Sequence, residues 1–183
     1  MFQLIITILF VLIPINWVTY FKKKNLREAL VELLPKPQTL KKEVLGSIAL
    51  FSALFIGFIL IASVIAIVDE TTGMPINDLE KVNNVIDAEI QFSIGLFLAT
   101  IIVVVFIEEF FFRAFLVPRA GMIPATLIFT FFHYGYGSIA EIIGVFFLGL
   151  ILAYWFKKRK SIIQNYFGHL FYNLLAIIFY VLI

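Results

Sequence analysis

Cysteine is absent from the 183 residues of this chain. That removes at once a disulfide framework, a thiolate nucleophile and a cysteine metal site. Charge is scarce as well: Asp, Glu, Lys and Arg make up 14% of the residues, and the net charge of +2 is uninformative as a total. Histidine occurs only twice, as His133 and His169. No internal repeat or low-complexity tract is present. What remains is apolar: 62% of residues are hydrophobic, 22 residues are phenylalanine, and mean hydropathy is +1.05. Average usage is about 45–50% apolar, so this composition defines a polytopic membrane protein.

A helix needs about 20 mostly apolar residues to cross a bilayer. Six segments meet or approach that requirement: Phe2–Tyr20, Val44–Val68, Phe92–Val117, Met122–Tyr136, Ile139–Phe156 and Ile162–Ile183. The fourth is the weakest, being short and ending in Gly135-Tyr136-Gly137-Ser138. The first lacks a basic n-region and a small-x-small cleavage site, and its cluster Lys22-Lys23-Lys24 lies on the wrong side for a secretory signal. It reads as a retained helix.

Loop charges set the orientation. Residues 21–43 carry Lys22, Lys23, Lys24, Arg27, Lys36, Lys41 and Lys42; Arg119 follows the third span, and Lys157-Lys158-Arg159-Lys160 follow the fifth. Residues 69–91 carry Asp69, Glu70, Asp78, Glu80, Asp87 and Glu89 against a single Lys81. Basic loops stay cytoplasmic, which puts both termini outside. The expected fold is all-α, a polytopic transmembrane bundle of about six spans in the cell membrane. Residues 1–91 form a two-span region and residues 92–183 a four-span core.

One loop holds a further helix. Leu26, Ala29, Leu30, Leu33 and Leu34 follow the spacing of an amphipathic helix. Asn25 and Glu28 form a capping-box pattern, and Pro35 and Pro37 end the segment. This helix is expected in the headgroup plane on the cytoplasmic side.

Charged groups at membrane depth cost roughly 2.5–3.5 kcal/mol each on insertion scales, so Glu108, Glu109 and Arg113 within an apolar run call for a use. Glu109 and Arg113 are i, i+4 partners in the favourable acid-before-base order, as are His169 and Asn173 in position on one helix face. At 1.5 Å per residue, Glu108 lies roughly 14 Å from the end of its span, His133 about 16 Å, His169 about 10 Å and Asn173 about 16 Å. Three spans thus bring a carboxylate, two imidazoles and an amide to one layer. A carboxylate and an imidazole can together deprotonate a water, while a second imidazole and an amide N–H stabilise an oxyanion. Glu108, His133 and His169 are equally a hydrolytic zinc-type ligand set. Both routes end in hydrolysis of an amide, and neither needs a serine or cysteine nucleophile. Singly, each residue also has a structural reading: Glu109 with Arg113 as a buried ion pair, each histidine or Asn173 as an interhelical hydrogen bond.

Three patterns in order, Glu108-Glu109-Phe-Phe-Phe-Arg113, Phe129-Thr-Phe-Phe-His133 and His169-Leu-Phe-Tyr-Asn173, resemble the motifs of the CAAX-protease and bacteriocin-processing (Abi) family. The resemblance covers roughly residues 92–173. It implies a multi-pass intramembrane endopeptidase with its site toward the cytoplasm. In it Glu108 is the base assisted by His133, His169 and Asn173 hold the oxyanion, and Glu109, Arg113 and Phe129 are supports. Family members are labelled metallopeptidases, implying a divalent metal such as zinc, while a metal-free glutamate mechanism is also argued for them. Relatives cleave prenylated tails or process bacteriocin-like peptides, so the implied partners are membrane lipid and a peptide or protein substrate, with no nucleic acid. Two other readings suit the same residues: a proton-coupled transporter, and a non-enzymatic immunity or scaffold protein.

Overall fold

The computed structural model describes residues 2–182, and every regular element among them is helical. In chain order these are α1 (Phe2–Asn16), prolonged by a π turn at Trp17–Phe21; α2 (Leu26–Leu33); α3 (Leu40–Thr72); α4 (Glu80–Glu108), prolonged by a π-helical segment at Glu109–Leu116; α5 (Val117–Ala120); α6 (Met122–Phe132), followed by a 3-10 turn at Tyr134–Tyr136; α7 (Ile139–Arg159); and α8 (Ile162–Leu182). Among the described residues, five stretches are long and apolar enough to cross a membrane: Leu4–Phe21, Leu40–Thr72, Glu80–Ala120, Ile139–Arg159 and Ile162–Val181. Five full spans and one short helix account for the six predicted segments.

The short one is α6. Its 11 residues rise only about 16 Å, half of a hydrocarbon core about 30 Å thick. Glycine explains both limits. Gly121 precedes the helix at φ +91°, and Gly137 closes the turn after it at φ +69°, conformations that side-chain-bearing residues rarely adopt. His133 is therefore the C-cap of a half-helix rather than a mid-span residue.

The acidic connection differs from its expected extent of 69–91. α3 runs to Thr72 and α4 begins at Glu80, leaving only residues 73–79 irregular. Gly73 in the left-handed region caps α3, and the Asp69 carboxylate accepts the backbone N–H groups of Ile76 and Asn77, folding the turn back on the helix end. The predicted start of the third span at Phe92 falls at a real feature: Ser93 has extended backbone (φ −171°, ψ 108°), and its hydroxyl accepts the N–H of Leu96. Ser93 thereby caps the inner part of α4.

At the basic-loop end, α2 has the predicted capping box, with Asn25 accepting from the Glu28 N–H and Glu28 accepting from the Asn25 N–H. Its apolar face divides. Ala29 and Leu33 are fully buried against α1 and the π segment, whereas Leu26, Leu30 and Val31 are exposed. Glu32 clamps the helix by accepting from Lys22, Lys24 and Arg119 at 2.6, 2.8 and 2.7 Å. Those hydrogen bonds, with Lys22 and then Lys24 contributing most, hold the Glu32 carboxyl down at about 2.

The opposite end has its own clamp. Asp78 accepts from the Ser138 hydroxyl and from the N–H groups of Ile139 and Ala140, the unsatisfied donors of the first turn of α7. The Ser138 bond leads in holding the Asp78 carboxyl well below the usual carboxylate range. Between the two ends, α3 lies along α8, where Gly168 permits close approach: a Cβ there would sit 2.8 Å from Leu50 Cγ. A phenylalanine cluster packs α1 to the π segment and α6, with Phe10 stacked on Phe111 at 4.3 Å and Phe112 edge-on to Phe129 at 5.0 Å.

Candidate active site

The π-helical segment contains the Glu-x-x-x-Arg pattern, and every residue from Glu109 to Phe115 is buried. A π turn widens the helix and turns more of its circumference inward than an α-helix would, a distortion often found at functional sites. Glu109 is the centre of what it buries. At 0% exposure, Glu109 Oε1 accepts from His169 Nδ1 at 2.9 Å, and Oε2 accepts from Asn165 Nδ2 at 3.1 Å. Arg113 Nε stands 3.5 Å from the same Oε2, an ion-pair distance without hydrogen-bond alignment. The guanidinium lies over the Phe129 ring with Cζ 4.4 Å from its centroid, a cation–π contact.

Phe129 links this centre to the second histidine. Its ring is 4.5 Å from the His133 ring and 6.4 Å from the His169 ring. Its carbonyl oxygen lies 2.9 Å from His133 Nδ1. A carbonyl can only accept, so His133 Nδ1 carries the proton and Nε2 keeps its lone pair. Glu109 accepts from His169 Nδ1–H, and Nε2 is the ring nitrogen not bound to Glu109, a donor only in the imidazolium. A carboxylate that holds a histidine's orientation is the usual support for an imidazole that acts through its other nitrogen.

Glu108, next in sequence to Glu109, has a different environment. It is half-buried, and among the described residues no hydrogen bond joins it to His133, His169 or Asn173. It lies within electrostatic reach of Arg113 and of the Tyr136 hydroxyl in the turn after α6. Asn173 is half-buried one turn beyond His169 on α8. The three patterned segments therefore do meet around Phe129, but the residue hydrogen-bonded to His169 is Glu109.

Two further polar residues belong to this region. Asn165 donates to both Glu109 and the Leu152 carbonyl, tying α8 to the π segment and α7. Its sequence signal is the i−4 position relative to His169, which extends the Asn173 stripe by one turn. Glu141, in the first turn of α7 with its N–H bound to the Ser138 hydroxyl, lies within electrostatic reach of His133, Tyr136 and Tyr172. It had a signal too: an acid inside a predicted span.

A hydrolytic zinc site takes three protein donors at about 2.0–2.3 Å from one ion. Among the described residues no three His, Asp or Glu side chains lie close enough together to hold a metal ion. Glu108, His133 and His169, as arranged here, do not make that ligand set.

Fold and site together define a polytopic membrane protein with a buried acid–histidine–arginine centre. Residues 90–175 match the model of the Rce1-like family, described as type II CAAX prenyl endopeptidase Rce1-like. Over that stretch the chain is similar to the CAAX-protease family. No curated protein and no solved structure matches the chain.

Proposed function

We propose that this chain hydrolyses a peptide bond of a membrane-associated peptide or protein near the cytoplasmic surface, using a water activated by Glu108 and His133. The observation that carries this reading is the division of labour between adjacent carboxylates. Glu109 has both oxygens committed, to His169 and to Asn165, and is paired with Arg113. Glu108 has no hydrogen bond among the described residues and is the carboxylate free to take a proton. Both histidines have Nδ1 engaged and Nε2 open, beside one phenylalanine ring.

The steps follow from those atoms. Glu108, with His133 Nε2, removes a proton from water as the oxygen attacks the scissile carbonyl carbon. The resulting oxyanion accepts from the Asn173 amide and from His169 Nε2–H in the doubly protonated imidazole. Glu109 supports that cation, and with Glu108 holding the proton, Glu109, Arg113, His169 and the oxyanion sum to zero charge. The held proton passes to the amide nitrogen as the C–N bond breaks, and a carboxylic acid and an amine leave. Glu109, Arg113 and Phe129 position these groups.

The prenylated CAAX peptide named in the family's description is the first substrate class to test. Purified protein in lipid should cleave a fluorogenic prenylated CAAX peptide, and Glu108→Gln should lower kcat/KM by at least about 10²-fold with an unchanged melting temperature. Strong chelators should leave the rate unaltered. Cleavage by Glu108→Gln at the wild-type rate would refute the assignment, and loss of activity on chelation with recovery on adding zinc would refute the metal-free step.

A further inference from the structure

The hydroxyl side chains of α3 and α6 behave differently. In α3, Ser47, Ser52, Ser63, Thr71 and Thr72 each donate their hydroxyl to the carbonyl four residues back. This is the usual way to satisfy a hydroxyl in an apolar setting. Thr126 and Thr130 of α6 do not. Thr126 is 0% exposed and Thr130 8%, yet among the described residues neither hydroxyl has a protein hydrogen-bond partner. Nε, Nη1 and Nη2 of Arg113 and Oδ1 of Asn165, both residues 0% exposed, are in the same position.

These residues are linked through shared neighbours. Arg113 and Asn165 both face Glu109 Oε2. Arg113 lies on the Phe129 ring, and Thr126 and Phe129 together cover Gly149 of α7, where an added Cβ would come within 3.1 and 3.2 Å of them. Asn165 reaches the same α7 face through the Leu152 carbonyl. Along α6, Thr126, Phe129, Thr130 and His133 form an i, i+3, i+4, i+7 stripe that leads from Arg113 to the imidazole.

The chemistry of the unmatched atoms selects the ligand. Arg113 offers N–H donors only, and Asn165 Oδ1 is an acceptor only, because its Nδ2 already donates to two oxygens. An anion would suit Arg113 but leave Asn165 unmatched, and Glu109 already balances the guanidinium charge. Water donates and accepts, and buried waters characteristically join such groups. Leaving these groups unmatched would be costly. We infer that Arg113, Asn165, Thr126 and Thr130 hold a cluster of buried waters that runs along α6 to His133 and supplies the hydrolytic water within the membrane. Only the supply role rests on the proposed hydrolysis; the waters can be tested without it.

X-ray radiolytic labelling generates hydroxyl radicals from bound water beside buried side chains, read by mass spectrometry. Wild-type protein in lipid should show oxidation of Phe129, 3% exposed, several-fold above that of Phe156, which is 1% exposed. Thr126→Val with Thr130→Val should bring Phe129 down toward the Phe156 level, and Thr126→Ser with Thr130→Ser should restore it. In the peptidase assay the valine pair should lower kcat about tenfold, the rate equivalent of one lost hydrogen bond, with KM unchanged. Labelling of wild-type Phe129 no higher than Phe156 would overturn the water cluster. Labelling as expected with kcat unaffected by the valine pair would overturn its supply role, while the Glu108→Gln result decides the hydrolysis separately.

Discussion

Two carboxylates each gather several partners in this protein, and they do so under opposite conditions. Glu32 binds Lys22, Lys24 and Arg119 at the basic-loop end, where its side chain is 22% exposed. Glu109 holds His169, Asn165 and Arg113 at 0% exposure. By distances alone the Glu32 cluster is the tighter one. Water decides otherwise. Near solvent, partner exchange makes an ion pair worth about 0–1 kcal/mol. Out of water, removing one partner strands the other's charge at about 3–5 kcal/mol. The first cluster fastens a surface helix, and the second organises the protein's centre.

The largest expected effect comes from breaking the buried cluster. Glu109→Ala should cost about 3–5 kcal/mol by thermal unfolding in detergent, because Arg113 keeps its charge and loses its counterion. A cost below about 1 kcal/mol would erase the distinction between the clusters. The pair Glu109→Leu with Arg113→Met sharpens it: stability should recover well above either single variant, since no buried charge is left unpaired. Peptidase activity should stay lost in the pair, as His169 has no orienting carboxylate.

Packing supplies the next effect. Gly168→Ala places a Cβ 2.8 Å from Leu50 Cγ and should cost about 1–3 kcal/mol as the α3–α8 seam opens. An unchanged melting temperature would show that the seam has slack.

Glu32→Gln should have the smallest effect at neutral pH, below about 1 kcal/mol. Its pH dependence is the sharper test. The Glu32 carboxyl is lowered from 4.5 to about 2, so the clamp contributes fully above pH 4.5 and is lost as pH falls toward 2. The stability difference between wild type and Glu32→Gln should therefore shrink across that window. A difference that grows on acidification would contradict the clamp.

The same contrast explains what could be read from residue order. Local signals were legible in full. Asn25 and Glu28 stand three apart and make their capping box, and the Lys and Arg clusters separate the two ends of the bundle. The Glu-Glu-x-x-x-Arg, Phe-x-x-x-His and His-x-x-x-Asn spacings brought three helices to one layer, because rise per residue converts position directly into depth. Less was visible wherever a helix departs from ideal geometry. The acidic stretch read as one loop, but left-handed Gly73 and the Asp69 turn confine the irregular part to residues 73–79. The fourth segment read as a span, and its flanking glycines stop it at half height.

Composition, charge placement and periodicity by themselves determined that this is a membrane helix bundle and which residues could carry its chemistry. Those quantities depend on neighbours along the chain and on the cost of burying charge. Which of two adjacent glutamates meets His169 was decided only by the tertiary structure. The rotation about a helix that separates Glu108 from Glu109 is set by the π segment's width and by Asn165, Arg113 and Phe129 arriving from three other turns of chain. Side-chain direction at one depth is a property of packing, and packing is where Glu109 was fixed in place and Glu108 left free.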